Sequence, residues 1–147
     1  MTHRRLPLIA VVVAVLVAGT SSSVHANVLP RRVKMQQLLN QTRRNHGLRV
    51  LRMNSNLSHF AYLHSKRMAY RNYLFHTANL YRAVSAYRPS AWGENVGMAG
   101  SLTRLRTLWM RSAKHRANIL KPGYRRIGIG VVKARGLFWV TTIFYGG

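Results

Sequence analysis

The chain contains a single acidic side chain and no cysteine. Glu94 stands alone against 24 Lys and Arg in 147 residues, which gives a formal net charge of +23. Any chemistry that needs a side-chain carboxylate must use Glu94 or proceed without one. The absence of cysteine excludes disulfide bonds and a lipid anchor attached to a leader thiol. Because a cysteine-free chain of this length buries enough core to fold without disulfides, the composition favours a bacterial envelope or extracellular protein.

Carboxylates are so scarce that the positive charges cannot be neutralised by internal ion pairs. Such a chain repels itself and attracts external anions, so we expect anionic polymers or anionic lipids as partners. The basic residues are spread along the sequence, and no nucleic-acid-binding motif is present. We therefore expect no sequence-specific binding of nucleic acid.

The first 26 residues have the layout of a secretory signal peptide. A short basic region ends at Arg5, an apolar run follows over 6–18, and a small polar stretch ends in Val24-His25-Ala26. The alternative is a membrane anchor, but the apolar run of about 13 residues is shorter than the roughly 20 needed to cross a bilayer. We expect cleavage after Ala26, secretion or association with the cell envelope, and no transmembrane span in the mature chain.

Residues 27–147 read as one α+β domain. Apolar residues recur at helical spacing in three places, and Asn54 or Ser55 and Ser101 are suitable caps for the second and third of these helices. Two late apolar runs joined by Ala134-Arg135-Gly136 predict a hairpin of a small antiparallel sheet. The predicted helices are 31–46, 55–71 and 101–111 with a short one near 77–85, and the predicted strands are 92–98, 127–132 and 137–145.

Two motifs concentrate the polar chemistry. Glu94 lies in Trp92-Gly93-Glu94-Asn95-Val96-Gly97, and about one helix later His115 offers a natural partner for that lone acid. Ser112 precedes His115 by three residues, a spacing that lets the two side chains meet at a helix end. His64 lies within an apolar helical stripe and is expected to be a hydrogen-bonded core histidine.

These motifs, taken in order, resemble a known family, the CAP superfamily of cysteine-rich secretory, antigen 5 and pathogenesis-related proteins, in its bacterial SCP-like branch. The resemblance covers nearly all of residues 27–147. It is carried by Leu38-Leu39-Asn40 with Arg43, His64-Ser65 with Met68, Phe75-His76-Thr77, Gly93-Glu94-Asn95-Val96, Trp109-Met110-Arg111-Ser112, His115-Arg116-Ala117-Asn118-Ile119-Leu120 and Gly128-Ile129-Gly130-Val131.

What the resemblance implies is a three-layer α-β-α sandwich with a cleft built from two histidines and two acids. In this sequence the two histidines match His76 and His115, and one acid matches Glu94. The fourth position departs from the pattern, because Ser112 stands where many eukaryotic members have a glutamate. We expect His76, Glu94, Asn95, Ser112 and His115 to line the cleft.

Two uses of these residues remain open at the level of sequence. His76 and His115 can ligate a divalent metal such as zinc, with Glu94 as a third ligand or as the group that orients one imidazole. Alternatively, the two histidines and Glu94 form structural hydrogen bonds that hold the cleft walls.

Function is predicted to be binding rather than catalysis. A serine-type triad of Ser112, His115 and Glu94 is conceivable, but no nucleophile-elbow motif accompanies it, and a single carboxylate cannot readily serve as both metal ligand and base. The resemblance implies a module that binds lipids, sterols or partner proteins. The alternative hypothesis is a weak hydrolase, metal-dependent or serine-type, that uses the same cleft.

Overall fold

A computed structural model of the chain describes residues 30–147, so the signal peptide predicted over residues 1–26 lies outside the described part. In chain order the elements are α1 (Arg31–Asn45), β1 (Arg52–Met53), α2 (Ser55–Arg71), α3 (Leu80–Val84) with a 3-10 turn (Ser85–Tyr87), β2 (Ala91–Ala99), α4 (Leu102–Arg111), α5 (Ala113–Leu120), β3 (Arg126–Ala134) and β4 (Leu137–Gly146).

The sheet has the strand order β1-β3-β4-β2. β4 is one of the two inner strands and pairs antiparallel with both β2 and β3; its pairing with β3 is the hairpin that the sequence predicted. β1 was not predicted; it pairs parallel with the start of β3, with Arg52 opposite Arg126. β2 therefore forms one edge of the sheet and carries Glu94 at that edge.

Helices cover both faces of the sheet and make three layers, which confirms the predicted sandwich. Side chains alternate along β4, so Val140 and Phe144 pack on the face covered by α1, α4 and α5. Trp139 and Ile143 pack on the opposite face, against α2. All four of these side chains are fully buried.

Local sequence signals set the helix boundaries. Asn54 caps α2 by accepting from the backbone N–H of Leu57 at 3.0 Å, and Ser101 caps α4 by accepting from that of Arg104 at 3.1 Å. Asn72 ends α2 in the left-handed region with φ 57°, a conformation that asparagine tolerates better than most residues. Within residues 30–147 no helix is both long and apolar enough to cross a bilayer.

Candidate functional site

Edge strand β2 connects two layers of the sandwich through adjacent residues. Because successive side chains of a strand point to opposite faces, Glu94 is directed toward the segment after α2 and Asn95 toward α5. Asn95 Nδ2 donates to the backbone oxygen of His115 at 3.0 Å. The strand thus places the lone carboxylate on one side and the start of α5 on the other.

The Glu94 carboxylate is buried and accepts three hydrogen bonds. Oε2 accepts from His76 Nδ1 at 2.7 Å and from the backbone N–H of Thr77 at 3.0 Å, while Oε1 accepts from Thr77 Oγ1 at 2.6 Å. Only 2% of the Glu94 side chain is exposed. Both oxygens are engaged, so the charge is stabilised by donors fixed in position before any ligand arrives.

His76 is held at one ring nitrogen and open at the other. Its Nδ1 must carry the proton, because the carboxylate that it meets accepts. The side chain is nevertheless 61% exposed, and Nε2 is directed away from Glu94. This arrangement, in which a carboxylate orients an imidazole, leaves the outer nitrogen able to bind a metal ion or an anionic ligand.

His115 lies across the site from His76 and is half-buried. Its Nδ1 is 3.0 Å from Ser112 Oγ. Its ring lies beside that of Trp109, with the centroids 6.0 Å apart and the two planes inclined by 32°. Burial lowers the pKa of His115, and electrostatic repulsion from His76 lowers this pKa further. The ring is therefore biased toward the neutral form, which is the form that ligates metals.

The structure places the five predicted residues in two sets of contacts, with different partners from those that the sequence suggested: His76 with Glu94, and Asn95 and Ser112 with His115. The natural partner proposed for Glu94 was His115, whereas the carboxylate bonds His76. His115 contacts Ser112 instead. Among residues 30–147 the acid does not reach His115, so the serine-type triad is not closed by a hydrogen bond. In the same part of the chain no cluster of three His, Asp or Glu side chains is positioned to hold a metal.

Two contributing residues were not singled out from the sequence. Thr77 supplies two of the three donors to Glu94. Asn118 Nδ2 donates to the Glu94 backbone oxygen at 3.1 Å and to Asn95 Oδ1 at 2.9 Å. Asn118 lies three residues after His115 on α5, and that helical spacing was the available signal.

The loop that carries His76 is anchored by His64. As predicted, His64 is buried in the core with 1% of its surface exposed. Its Nε2 donates to the Phe75 backbone oxygen at 2.8 Å, and its ring meets that of Phe75 edge-on. A carbonyl only accepts, so Nε2 is protonated here, and the residue next to His76 is fixed in place.

The sequence is similar to those of known proteins. The family model described as the cysteine-rich secretory protein family, CAP, matches residues 36–144. The uncharacterised protein YkwD of Bacillus subtilis is 31% identical over 129 residues, which are 82% of this chain and 49% of that protein. The chain thus spans about half the length of this curated relative.

Solved structures share the fold. An extracellular SCP-domain protein from Bacillus anthracis superposes with a TM-score of 0.67 at 25% identity, over 80% of this chain and 40% of that one. NaASP2, solved with Zn²⁺, superposes with a TM-score of 0.54 at 11% identity, over 78% of each chain. At that identity NaASP2 supports the fold alone.

Proposed function

Because the chain belongs to the CAP family of cysteine-rich secretory proteins, in its bacterial SCP-like type, we propose that it is an exported, non-enzymatic binding module. It acts at an anionic envelope or host surface. One observation carries this proposal: among residues 30–147 the lone acidic side chain, Glu94, has only His76 within ion-pair distance, and no Lys or Arg reaches it. Arg4 and Arg5 precede that range, which leaves 22 of the 24 Lys and Arg residues in it, none of them paired with a carboxylate there.

Unpaired surface cations favour anionic polymers because binding releases condensed counterions. Affinity should therefore fall steeply with added salt and depend little on polymer sequence. The test measures binding of the mature protein to several unrelated polyanions, for example a teichoic-type polymer, heparin and single-stranded DNA, between about 50 and 300 mM NaCl. An affinity that is insensitive to salt, or confined to one chemically defined ligand, would contradict the proposal.

We assign to the cleft a weak site for a divalent metal such as zinc. Both imidazoles use Nδ1 for a hydrogen bond, so the two Nε2 atoms are the ligand atoms. Glu94 acts by orienting His76, since its own oxygens are engaged. Two imidazoles without a third protein ligand make an open and weak site, whose other positions water or a ligand would fill.

Zinc that binds only the folded protein should raise its melting temperature. The His76→Ala and His115→Ala variants should each lose that increase, and Glu94→Gln should reduce it. His59→Ala serves as the control, because His59 is exposed on α2 and does not contact the cleft residues. An unchanged wild-type melting curve at saturating zinc would leave the hydrogen bonds with a purely structural role.

Export requires that the leader be removed. We propose that the mature protein begins at Asn27, from the small residues that end in Ala26. Intact-mass measurement of the secreted protein tests this, and a secreted species that retains residues 1–26 would refute it. The extracellular B. anthracis relative supports this localisation by analogy.

A second function, weak hydrolysis, is favoured by one contact. Ser112 Oγ and His115 Nδ1 are 3.0 Å apart, within the reach of a nucleophile and its base. If this pair is catalytic, Ser112→Ala should abolish turnover of activated esters, while Glu94→Gln should have a smaller effect because its carboxylate contacts His76. Equal activity in the wild type and Ser112→Ala would dismiss a serine mechanism.

A further inference from the structure

Four arginines line one concavity at the edge of the sheet opposite to β2. It has a volume of about 650 Å³ and lies where the chain after α1 meets β1 and the entry to β3. We call it the arginine pocket. Its lining residues are Leu48, Arg49, Val50, Arg52, Arg125, Arg126 and Gly147.

The strand register forces two of these cations together. Arg52 and Arg126 are directly opposite each other in the parallel pairing of β1 with β3, so both side chains emerge on the same side of the sheet. Neighbouring strands are about 4.8 Å apart. Like charges at such positions destabilise a sheet unless an anion lies between them.

A third cation is fixed by backbone carbonyls. The Arg125 guanidinium donates to the oxygens of Pro122 and Tyr124, which hold it at the pocket wall. Neither bond neutralises its charge, and no arginine of the pocket has a carboxylate partner within residues 30–147. The positive potential reaches inward, because the charge of Arg125 adds to burial in lowering the pKa of Arg43.

We propose that the arginine pocket is a specific site for a phosphate group carried by a larger molecule. Planar guanidinium groups bind phosphate oxygens in pairs, and four arginines from two separate stretches of the chain, 48–52 and 125–126, line this one concavity. The inference rests on the proposed binding function but goes beyond it, since it replaces diffuse attraction with a defined site.

The walls of the pocket indicate what accompanies the phosphate. Leu48 and Val50 provide an apolar side, and Val50 is 42% exposed. The volume lies within the range of small-molecule sites and greatly exceeds that of one phosphate ion. A phosphate ester whose carbon skeleton contacts these two side chains fits this combination, either as a free ester such as glycerol 3-phosphate or as a lipid headgroup.

The test compares two variants of equal charge. Arg52→Gln with Arg126→Gln removes the facing pair, and Arg104→Gln with Arg116→Gln removes two exposed cations from α4 and α5. Titration calorimetry with glycerol 3-phosphate at about 150 mM NaCl, where diffuse attraction is screened, should show a loss of about tenfold or more only in the first variant. Co-sedimentation with vesicles of phosphatidylglycerol in phosphatidylcholine distinguishes a headgroup from a free ester.

Folding is checked in the same samples. Because the Arg52/Arg126 variant loses a repulsion, it should melt no lower than the wild type in dilute buffer, so lost binding would not reflect unfolding. An equal loss of affinity in both variants would refute the specific phosphate site and would indicate binding by diffuse charge alone. If the protein binds other polyanions but neither glycerol 3-phosphate nor phosphatidylglycerol vesicles, the phosphate site is refuted and the proposed binding function is not. Failure with every polyanion would overturn both.

Discussion

At the residue scale, Arg43 is fully buried and has no carboxylate partner among residues 30–147. Its nitrogens donate instead to four backbone oxygens, those of Arg49, Ile119, Lys121 and Tyr124. Two of these carbonyls are at the end of α5, where the helix dipole places partial negative charge. Backbone carbonyls therefore stabilise the buried charge of Arg43 in place of a carboxylate. The same hydrogen bonds link α1 to the end of α5.

Replacement of Arg43 by Met should therefore be strongly destabilising. It would leave several buried carbonyls without donors, at a cost of about 3 kcal/mol or more of unfolding free energy. Arg43→Lys should recover only part of this loss, because an ammonium cannot span all four carbonyls. Urea denaturation measures the effect, and Arg44→Met on the exposed side of α1 is the matched control. Equal stabilities of the two Met variants would refute this account.

His115 should make stability depend on pH. Its pKa is lowered in the folded state from the ordinary value of 6.5, so on acidification the unfolded chain binds a proton before the folded one. Stability is then fully present above about pH 6.5 and decreases as the pH falls toward the lowered folded pKa. Denaturation of metal-free protein in chelator should show this decrease, and His115→Asn should reduce it. Superimposable pH curves for the two proteins would contradict the prediction.

The sequence identified the members of the candidate site but not their pairing. The lone carboxylate and the histidine of the following motif drew attention to Glu94 and His115, whereas His76 was selected through the family resemblance. Which histidine meets Glu94 depends on the side of β2 to which each residue points, and that follows from strand register. Glu94 and Asn95 face opposite layers, so His76 bonds the carboxylate, and His115 approaches through its backbone contact with Asn95.

At the scale of elements, α2 lies directly against β3 at two glycines. A Cβ added at Gly130 would lie 2.2 Å from the backbone of Ala61, and one added at Gly128 would lie 2.5 Å from the Leu57 side chain. These contacts fix the height of α2 above the sheet. They also locate Ser65, whose hydroxyl donates to Thr141 Oγ1 at 2.9 Å.

We predict that Gly130→Ala forces α2 away from the sheet. Because backbone atoms must move, the cost should be about 1–3 kcal/mol or more, and the melting temperature should fall by several degrees. Gly100→Ala is the control, since a Cβ there meets nothing within 4 Å. If Gly130→Ala melts at the same temperature as the wild type, α2 does not pack as closely on β3 as described.

The longer elements were predictable because periodicity and caps act locally. The predicted second helix coincides with α2, and the predicted hairpin corresponds to β3 and β4. β1 has only two residues, and it forms because it pairs with the start of β3, which is distant in the sequence. No local sequence pattern could therefore predict it. α5 was missed because Ser112 interrupts the helix after α4 with an extended ψ of 121°.

At the scale of the whole molecule, composition predicted an excess of cations but not where they meet. Arg49 and Arg52 are more than 70 positions from Arg125 and Arg126, and the sequence suggested an even spread. Only the β1–β3 pairing brings these residues into one pocket. Composition thus predicted only the general chemistry of a partner, whereas the proposed arginine pocket could be inferred only from the fold.

The same excess of charge should determine how the domain responds to salt. With 22 cations and one acidic side chain after residue 29, repulsion between surface charges outweighs attraction. Each pair contributes little, but the repulsive energies add up over many pairs. Salt weakens this repulsion, because charges more than about 8 Å apart are screened from each other at physiological ionic strength. The melting temperature should therefore rise as NaCl increases from about 10 to 300 mM, opposite to a protein held by surface ion pairs.

Specific chloride binding would also raise the melting temperature, so the measurement needs a second salt. Sodium sulfate and sodium chloride at equal ionic strength separate screening from anion binding, because screening depends on ionic strength in the dilute range. The Arg52→Gln/Arg126→Gln variant should be less responsive to both salts, since one close repulsion has been removed. Stability that falls with added salt would contradict this prediction, because it would mean that attraction to the buried Glu94 carboxylate outweighs the repulsion among all the cations of residues 30–147.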